Sequence, residues 1–247
     1  MSIANKLALV TGATRGIGQA IALELGRRGA VVVGTATSAA GAERIDAYLK
    51  EAGYQGRGIV LDVASEESVA AVCKEVQDSL GTVEILVNNA GITRDNLLMR
   101  MKDEEWQAVI DTNLSSVFRM TRSLLRGMMK ARWGRIVSIS SVVGSSGNPG
   151  QVNYAASKAA VEGYSRALAI EVGSRGITVN CIAPGFIDTD MTRDLPAEQA
   201  QALLSRIPLG RYGQAQEIAA VAGFLASQEA AYITGETIHA NGGMYMA

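Results

Sequence analysis

Short apolar runs alternate with amphipathic stretches along most of the 247-residue chain. Leu7–Val10 is continuously apolar, as expected of a strand buried on both faces, and Ile17–Arg28 places its apolar residues at helical spacing. The pattern then predicts a strand at Ala30–Gly34, a helix over 39–52, a strand at Gly58–Leu61 and a helix at Glu66–Leu80. A fourth strand is expected at Glu84–Val87, followed by one long helical stretch, Asp103–Lys130. Arg135–Ser140 reads as the fifth strand, Asn153–Gly173 as a helix, Thr178–Ile182 as the sixth strand. A shorter helix at Gln214–Leu225 precedes a last strand, Thr237–Ala240.

A helix between successive strands returns the chain so that the strands run parallel. Right-handed crossovers then put helices on both faces. The expectation is a single α/β domain over 1–247, a Rossmann-like doubly wound parallel sheet with its ligand crevice at the carboxyl ends of the strands. The stretch 184–213 breaks the alternation, and its prolines and glycines suggest a substrate loop or lid.

Composition narrows the chemistry. The 23 basic and 24 acidic residues nearly cancel, so the whole surface offers no electrostatic case for nucleic acid. Cys73 and Cys181 belong to no ligand cluster and read as small buried hydrophobes; with a single histidine, His239, no metal site is expected. No apolar run is long enough to span a membrane, and the N-terminus lacks a secretory pattern, so the expected location is cytoplasmic.

The first strand runs into Thr11-Gly12-Ala13-Thr14-Arg15-Gly16-Ile17-Gly18. Gly12 suits a sharp exit from the strand, Gly16 a close backbone approach to a ligand, and Gly18 tight packing of the helix on the sheet. The free N–H groups at the helix start then face an anion such as a pyrophosphate. The second strand ends Val33-Gly34-Thr35-Ala36-Thr37-Ser38, without the carboxylate that commonly binds adenosine ribose hydroxyls in NAD sites. Arg15 offers a guanidinium to a 2′-phosphate, and Thr37 and Ser38 offer hydroxyls. NADPH is the expected cofactor.

Three further features follow in order: Asn88-Asn89-Ala90-Gly91 after the fourth strand, Ser141 after the fifth, and Tyr154-Ala155-Ala156-Ser157-Lys158 opening the next helix. Tyr154 and Lys158 are four apart and share a helix face. With TGxxxGxG, NNAG, Ser then YxxxK, and Pro184-Gly185 after the sixth strand, the chain resembles the short-chain dehydrogenase/reductase family over essentially its full length. Asn88–Trp106, Tyr232–Glu236 and Asn241–Met246 carry a narrower likeness to reductases of 3-oxoacyl groups held on acyl carrier protein in fatty-acid synthesis.

The resemblance implies that Tyr154 protonates a carbonyl oxygen as hydride arrives. Lys158 would lower the tyrosine pKa and hold the nicotinamide ribose, and Ser141 would bind the substrate oxygen. The family's spacing to the tyrosine selects Ser141 over Ser138 and Ser140. Asn113 would hold a water that resupplies protons through Lys158. The cofactor would run past Gly12, Thr14, Arg15, Gly16, Ile17 and Gly18. Asp62 and Val63 would flank its adenine, while Asn89, Ala90 and Gly91 line its cleft. Pro184, Gly185 and Ile187 would meet the nicotinamide end, Ile187 closing over the amide. A homotetramer pairing its long helices and C-terminal strands is also implied. Another carbonyl reductase or alcohol dehydrogenase of the family, or a non-catalytic NADPH-binding regulator, are the alternatives.

An acidic carrier protein would need a basic surface. Arg119, Arg122, Arg126 and Lys130 share a helix face that reads as a solvated face or subunit contact. Arg132 and Arg135 follow that helix and Arg175 lies after another; Arg132 and Arg175, nearer to loops, are the expected docking residues beside the mouth of the site.

Overall fold

The computed structural model describes residues 3–188, 201 and 203–246. One seven-stranded sheet organises the chain, in the order β3-β2-β1-β4-β5-β6-β7 with every pairing parallel. The strands are β1 (Leu7–Val10), β2 (Val31–Ala36), β3 (Gly56–Val60), β4 (Ile85–Asn88), β5 (Gly134–Ile139), β6 (Ile177–Pro184) and β7 (Thr237–Ala240). The chain goes outward from β1 to β3, then crosses back to β4 on the other side of β1. The reversal opens a crevice between the carboxyl ends of β1 and β4, where ligands of such sheets bind.

Strand alternation divides the core into two layers. Ala8 and Val10 of β1 face α1 (Gly16–Arg27) through Ile21 and Leu25, with Ile45 and Leu49 of α2 (Ala39–Glu51) in the same layer. Ile218 and Leu225 of α8 (Ala215–Leu225) complete it. Leu7 and Leu9 face the other way, onto Val72 and Val76 of α3 (Glu66–Leu80). Met120, Leu124 and Met128 of α5 (Ser116–Ala131) and Leu168 and Val172 of α7 (Val152–Val172) belong to that second layer. With both faces covered, the central strands are apolar at successive positions, which is the pattern the sequence carries.

The expected elements are present with ends displaced by at most two residues. Two local features differ. The helical stretch expected over 103–130 is α4 (Asp103–Ile110), a π-helical turn at Asp111–Ser115, and then α5. A short helix, α6 (Val142–Ser146), follows β5 directly, capped by Ser141, whose Oγ accepts the Val143 N–H at 3.2 Å. Of the expected loop at 184–213, residues 189–200 and 202 lie outside the described residues. Among the described residues no helix is long and apolar enough to cross a membrane, and no group of three or more metal-ligating side chains forms.

Candidate active site and its family

The loop after β1 and the loop after β4 are stitched together at the crevice. Asn89 donates its side-chain amide to the carbonyls of Thr11 at 2.9 Å and Gly12 at 3.0 Å. The Thr11 hydroxyl accepts the backbone N–H groups of Asn89 and Ala90, both at 3.0 Å. Asn89 is therefore a brace for the glycine loop as well as a residue of the cleft wall. The loop is too tight for side chains at two places. Gly12 has φ +66°, and a Cβ on Gly18 would lie 2.2 Å from the Gly12 carbonyl oxygen. Helix α1 starts at Gly16 with no side-chain cap, so its first-turn N–H groups have no intrahelical acceptor and face the crevice. Anion binding is the natural use of such an end.

Thr37 and Arg15 are both exposed at this end of the sheet, Arg15 at the cap position of α1 and Thr37 just past β2. Ser38 caps α2, accepting the Gly41 N–H at 3.2 Å. Asp62 is exposed and Val63 buried beyond β3, with an Asp62 carboxylate oxygen accepting the Ala64 N–H at 2.9 Å. Gly185 closes on Asn241: a Cβ there would stand 2.8 Å from the Asn241 Cα. Ile187 is buried and bridges to Gly213.

Ser141, Tyr154 and Lys158 meet at the carboxyl end of β5. The Ser141 hydroxyl lies close enough to Tyr154 to lower its pKa. Lys158 is buried, its Nζ donates to the Ile139 carbonyl at 2.7 Å, and it lies 5.5 Å from the centre of the Tyr154 ring. Burial is the leading influence on both ionisable groups. It holds the Tyr154 pKa above the ordinary phenol value, against the opposing influence of Ser141, and lowers Lys158 to about 8. This corrects one expectation: the tyrosine pKa is raised, because desolvation outweighs any help from the lysine. A raised phenol is protonated at neutral pH and holds that proton more tightly, so its release calls for positive charge brought beside it.

The π-turn places Asn113. It is buried, accepts the Ile92 N–H at 2.8 Å, and donates to the Ile92 carbonyl at 3.0 Å and to Ser157 Oγ at 3.3 Å. Asn113 Oδ1 and Lys158 Nζ converge on Gly91, where an added Cβ would lie 3.3 Å and 3.5 Å from them. Asn153 and Ser157 were not anticipated. The Asn153 amide donates to the Arg94 carbonyl at 2.9 Å, its oxygen accepts the Tyr154 N–H at 2.8 Å, and Ser157 donates to the Tyr154 carbonyl at 2.7 Å. These bonds fix the first turn of α7 against the loop after β4. The only sequence signal for them is polar residues on the inner face of a helix.

The docking expectation fails within one copy of the chain. Arg132 ends α5 just before β5, and Arg175 precedes β6. Both sit at the amino edge of the sheet, a strand length of about 20 Å from the mouth. Arg135 is buried and is no surface residue. On the α5 face, Arg122 pairs with Glu66 at 2.7 Å and Arg119 with Asp111 at 3.7 Å.

A family model of the short-chain alcohol-dehydrogenase type, described as enoyl-(acyl carrier protein) reductase, matches residues 12–245. The chain belongs to the short-chain dehydrogenase/reductase family. It is similar to the 3-oxoacyl-[acyl-carrier-protein] reductase FabG of Pseudomonas aeruginosa, with 67% identity over 247 residues and the full length of both chains. The enzyme of the same name from Escherichia coli is 60% identical over 246 residues, again over the whole of both chains. That of Haemophilus influenzae is 58% identical, covering 98% of this chain and 99% of the relative.

Proposed function

We propose that this protein is an NADPH-dependent reductase of 3-oxoacyl groups carried as thioesters on acyl carrier protein, acting in fatty-acid synthesis. The observation that carries the reading is the Ser141–Tyr154 hydroxyl pair beside the buried Lys158, next to an uncapped, glycine-lined helix start. The full-length likeness to reductases of that name supports the substrate. NADPH suits the crevice: the first turn of α1 would hold the pyrophosphate, and Arg15 and Thr37 would meet a 2′-phosphate where no carboxylate repels it.

The nicotinamide, when bound, supplies hydride to the carbonyl carbon. Ser141 orients the carbonyl oxygen and stabilises the charge that gathers there. Tyr154 donates its proton to that oxygen. Lys158, with one acceptor for three N–H groups, has donors left for the ribose and for a proton path past Asn113. Asn89, Ala90 and Gly91 form the wall that keeps these groups apart, and Pro184, Gly185 and Ile187 form the opposite one.

We also read the functional form as a cytoplasmic homotetramer. Phe118 on α5 and Ile170 on α7 are exposed apolar side chains, and among the described residues β7 is an edge of the sheet. Antiparallel pairing of α5 with a second copy carries Arg132 toward the second copy's mouth, and Arg175 with it. The carrier would then dock on one copy and deliver its thioester to the next.

The test is NADPH oxidation, followed by absorbance, with 3-oxoacyl thioesters on carrier protein and on a small thiol. The expected result is turnover with both, faster with NADPH than NADH. The description of the family model suggests a second reading, reduction of 2-enoyl thioesters. Turnover of those alone, or of simple ketones alone, would overturn the proposal.

A further inference from the structure

Three successive residues at the exit of β5 meet α7, the first two by hydrogen bonds. Ile139 gives its carbonyl to Lys158 Nζ at 2.7 Å. Ser140 donates its hydroxyl to Glu162 Oε1 at 2.7 Å, with the Lys158 carbonyl also near at 3.3 Å. Ser141, next along, lies close enough to Tyr154 to influence its pKa. The middle tie has no part in the chemistry proposed above. Ser140 is nevertheless buried, at 2% exposure, and points away from the mouth into the turn of α7 that carries Lys158. Its backbone N–H is anchored separately, to the Ile182 carbonyl at 2.7 Å.

We propose that Ser140 and Glu162 are a positioning pair that sets the spacing between Ser141 and Tyr154. A hydroxyl has one proton, and the shorter bond to a charged acceptor takes it. The carboxylate thus draws the strand exit toward the turn after Lys158. A trans peptide fixes adjacent Cα atoms about 3.8 Å apart, so a shift at Ser140 is passed to Ser141 with little loss. On the other side, Glu162 is one helical turn beyond Lys158 and two beyond Tyr154, on the same stripe of α7. The pair therefore joins the two elements that carry the reacting hydroxyls. Displacing such groups by an ångström costs on the order of a hundredfold in rate.

The inference rests on the carbonyl-reductase reading, and the experiment separates the two. Kinetics are measured for wild type, Ser140→Ala, Glu162→Leu, Glu162→Gln and the double variant Ser140→Ala/Glu162→Leu, with a 3-oxoacyl thioester and NADPH. Glu162→Leu and Ser140→Ala should each lower kcat by about ten- to a hundredfold, with KM and the NADPH Kd held within about twofold. Glu162→Gln keeps an acceptor oxygen and should recover most of kcat. The double variant should be no worse than either single one, because each removes the same contact. Ser140→Ala reads the pair from the strand side should the helix variant fold poorly. Wild-type activity matched by both single variants would refute the pair and leave the reductase reading standing. Additive losses, Gln as damaging as Leu, or a fall in kcat that tracks loss of folded protein in thermal melts would refute it equally.

Discussion

Each end of the sheet holds a buried cation, and the two are treated differently. At the amino end, Arg135 is 2% exposed. Its Nη1 donates to the carbonyls of Gly134 at 2.8 Å and Gly176 at 3.3 Å, and its Nε donates to Ser227 at 3.3 Å. Its guanidinium also stacks 4.5 Å from the Trp133 ring centre, whose other neighbour is Lys6 at 4.3 Å. At the carboxyl end, Lys158 has the Ile139 carbonyl and the Tyr154 ring. Burial lowers the pKa of both. Arginine starts so high that it stays charged, and its fixed fork is shared among carbonyls. Lysine is brought to about 8, within reach of physiological pH, with donors to spare. One end thus spends its cation on joining chain segments. The other keeps its cation available for chemistry.

The largest effect should come from the partner of the available cation. Tyr154→Phe removes the proposed proton donor and keeps the ring. Turnover should fall by about a hundred- to ten-thousandfold, with NADPH still bound by fluorescence titration. Near-normal turnover would take Tyr154 out of the mechanism.

The lysine itself should show in the pH profile. Below pH about 8 it is charged in the folded protein, and above that it loses the proton it is proposed to relay. Thus kcat/KM for reduction should bend near pH 8 and fall about tenfold for each further unit. Lys158→Arg should remove that bend, whatever its absolute rate. Stability moves the other way. The folded pKa lies below the unfolded value of 10.5, so between about 8 and 10.5 the unfolded chain binds more protons, and stability rises with pH across that window. A profile flat to pH 10 in the wild type would break the contrast drawn between the two cations.

Much of this was legible in the chain and some was not. The central strands announce themselves because both faces of the sheet are covered there, leaving nearly continuous apolar runs, whereas the edge strands β3 and β7 are only partly buried. The glycine loop is legible from its place between a strand and a helix, and Ser141, Tyr154 and Lys158 are legible through the family resemblance that their spacing carries. The π-turn at Asp111–Ser115 is not: a single extra residue barely disturbs a helical pattern, and it is what turns Asn113 inward. Arg135 reads as a surface cation in sequence, which shows a charge and not the three carbonyls and the indole that surround it. Ser140 was visible as one of three nearby serines, but its partner is 22 residues away on another element. The loops of Arg132 and Arg175 suggest a place beside the mouth, but strand direction sends those loops to the far edge.

Breaking the structural cation should leave the chemistry intact. Arg135→Met keeps much of the volume and leaves the carbonyls of Gly134, Gly176 and Ser227 without that donor. It should cost about 2–3 kcal/mol in urea unfolding, with kcat near the wild-type value. A large drop in kcat at full folding would mean that the two ends are coupled.

The smallest effect expected is on docking, and it asks whether the amino end has any functional role at all. Arg132→Glu with Arg175→Glu reverses two charges at the edge that holds Arg135, about 20 Å from the mouth of the same copy. Surface charges act mainly on encounter, over about 10 Å at 0.1 M salt. The apparent KM for carrier-bound 3-oxoacyl substrate should therefore rise severalfold at low salt, and less as salt increases. The same acyl group on a small thiol has no acidic carrier to steer, so its kinetics should be unchanged. A mixed oligomer distinguishes which mouth is served. Copies carrying Tyr154→Phe with intact arginines, assembled with copies carrying the reversed arginines and intact Tyr154, should regain carrier-dependent turnover. Dock and chemistry would then lie on different copies. No recovery on mixing would assign each dock to its own copy, which the distance argues against. Equal impairment with both substrates would mean damage to the fold instead, and indifference of both would leave the amino edge with the structural role that Arg135 already gives it.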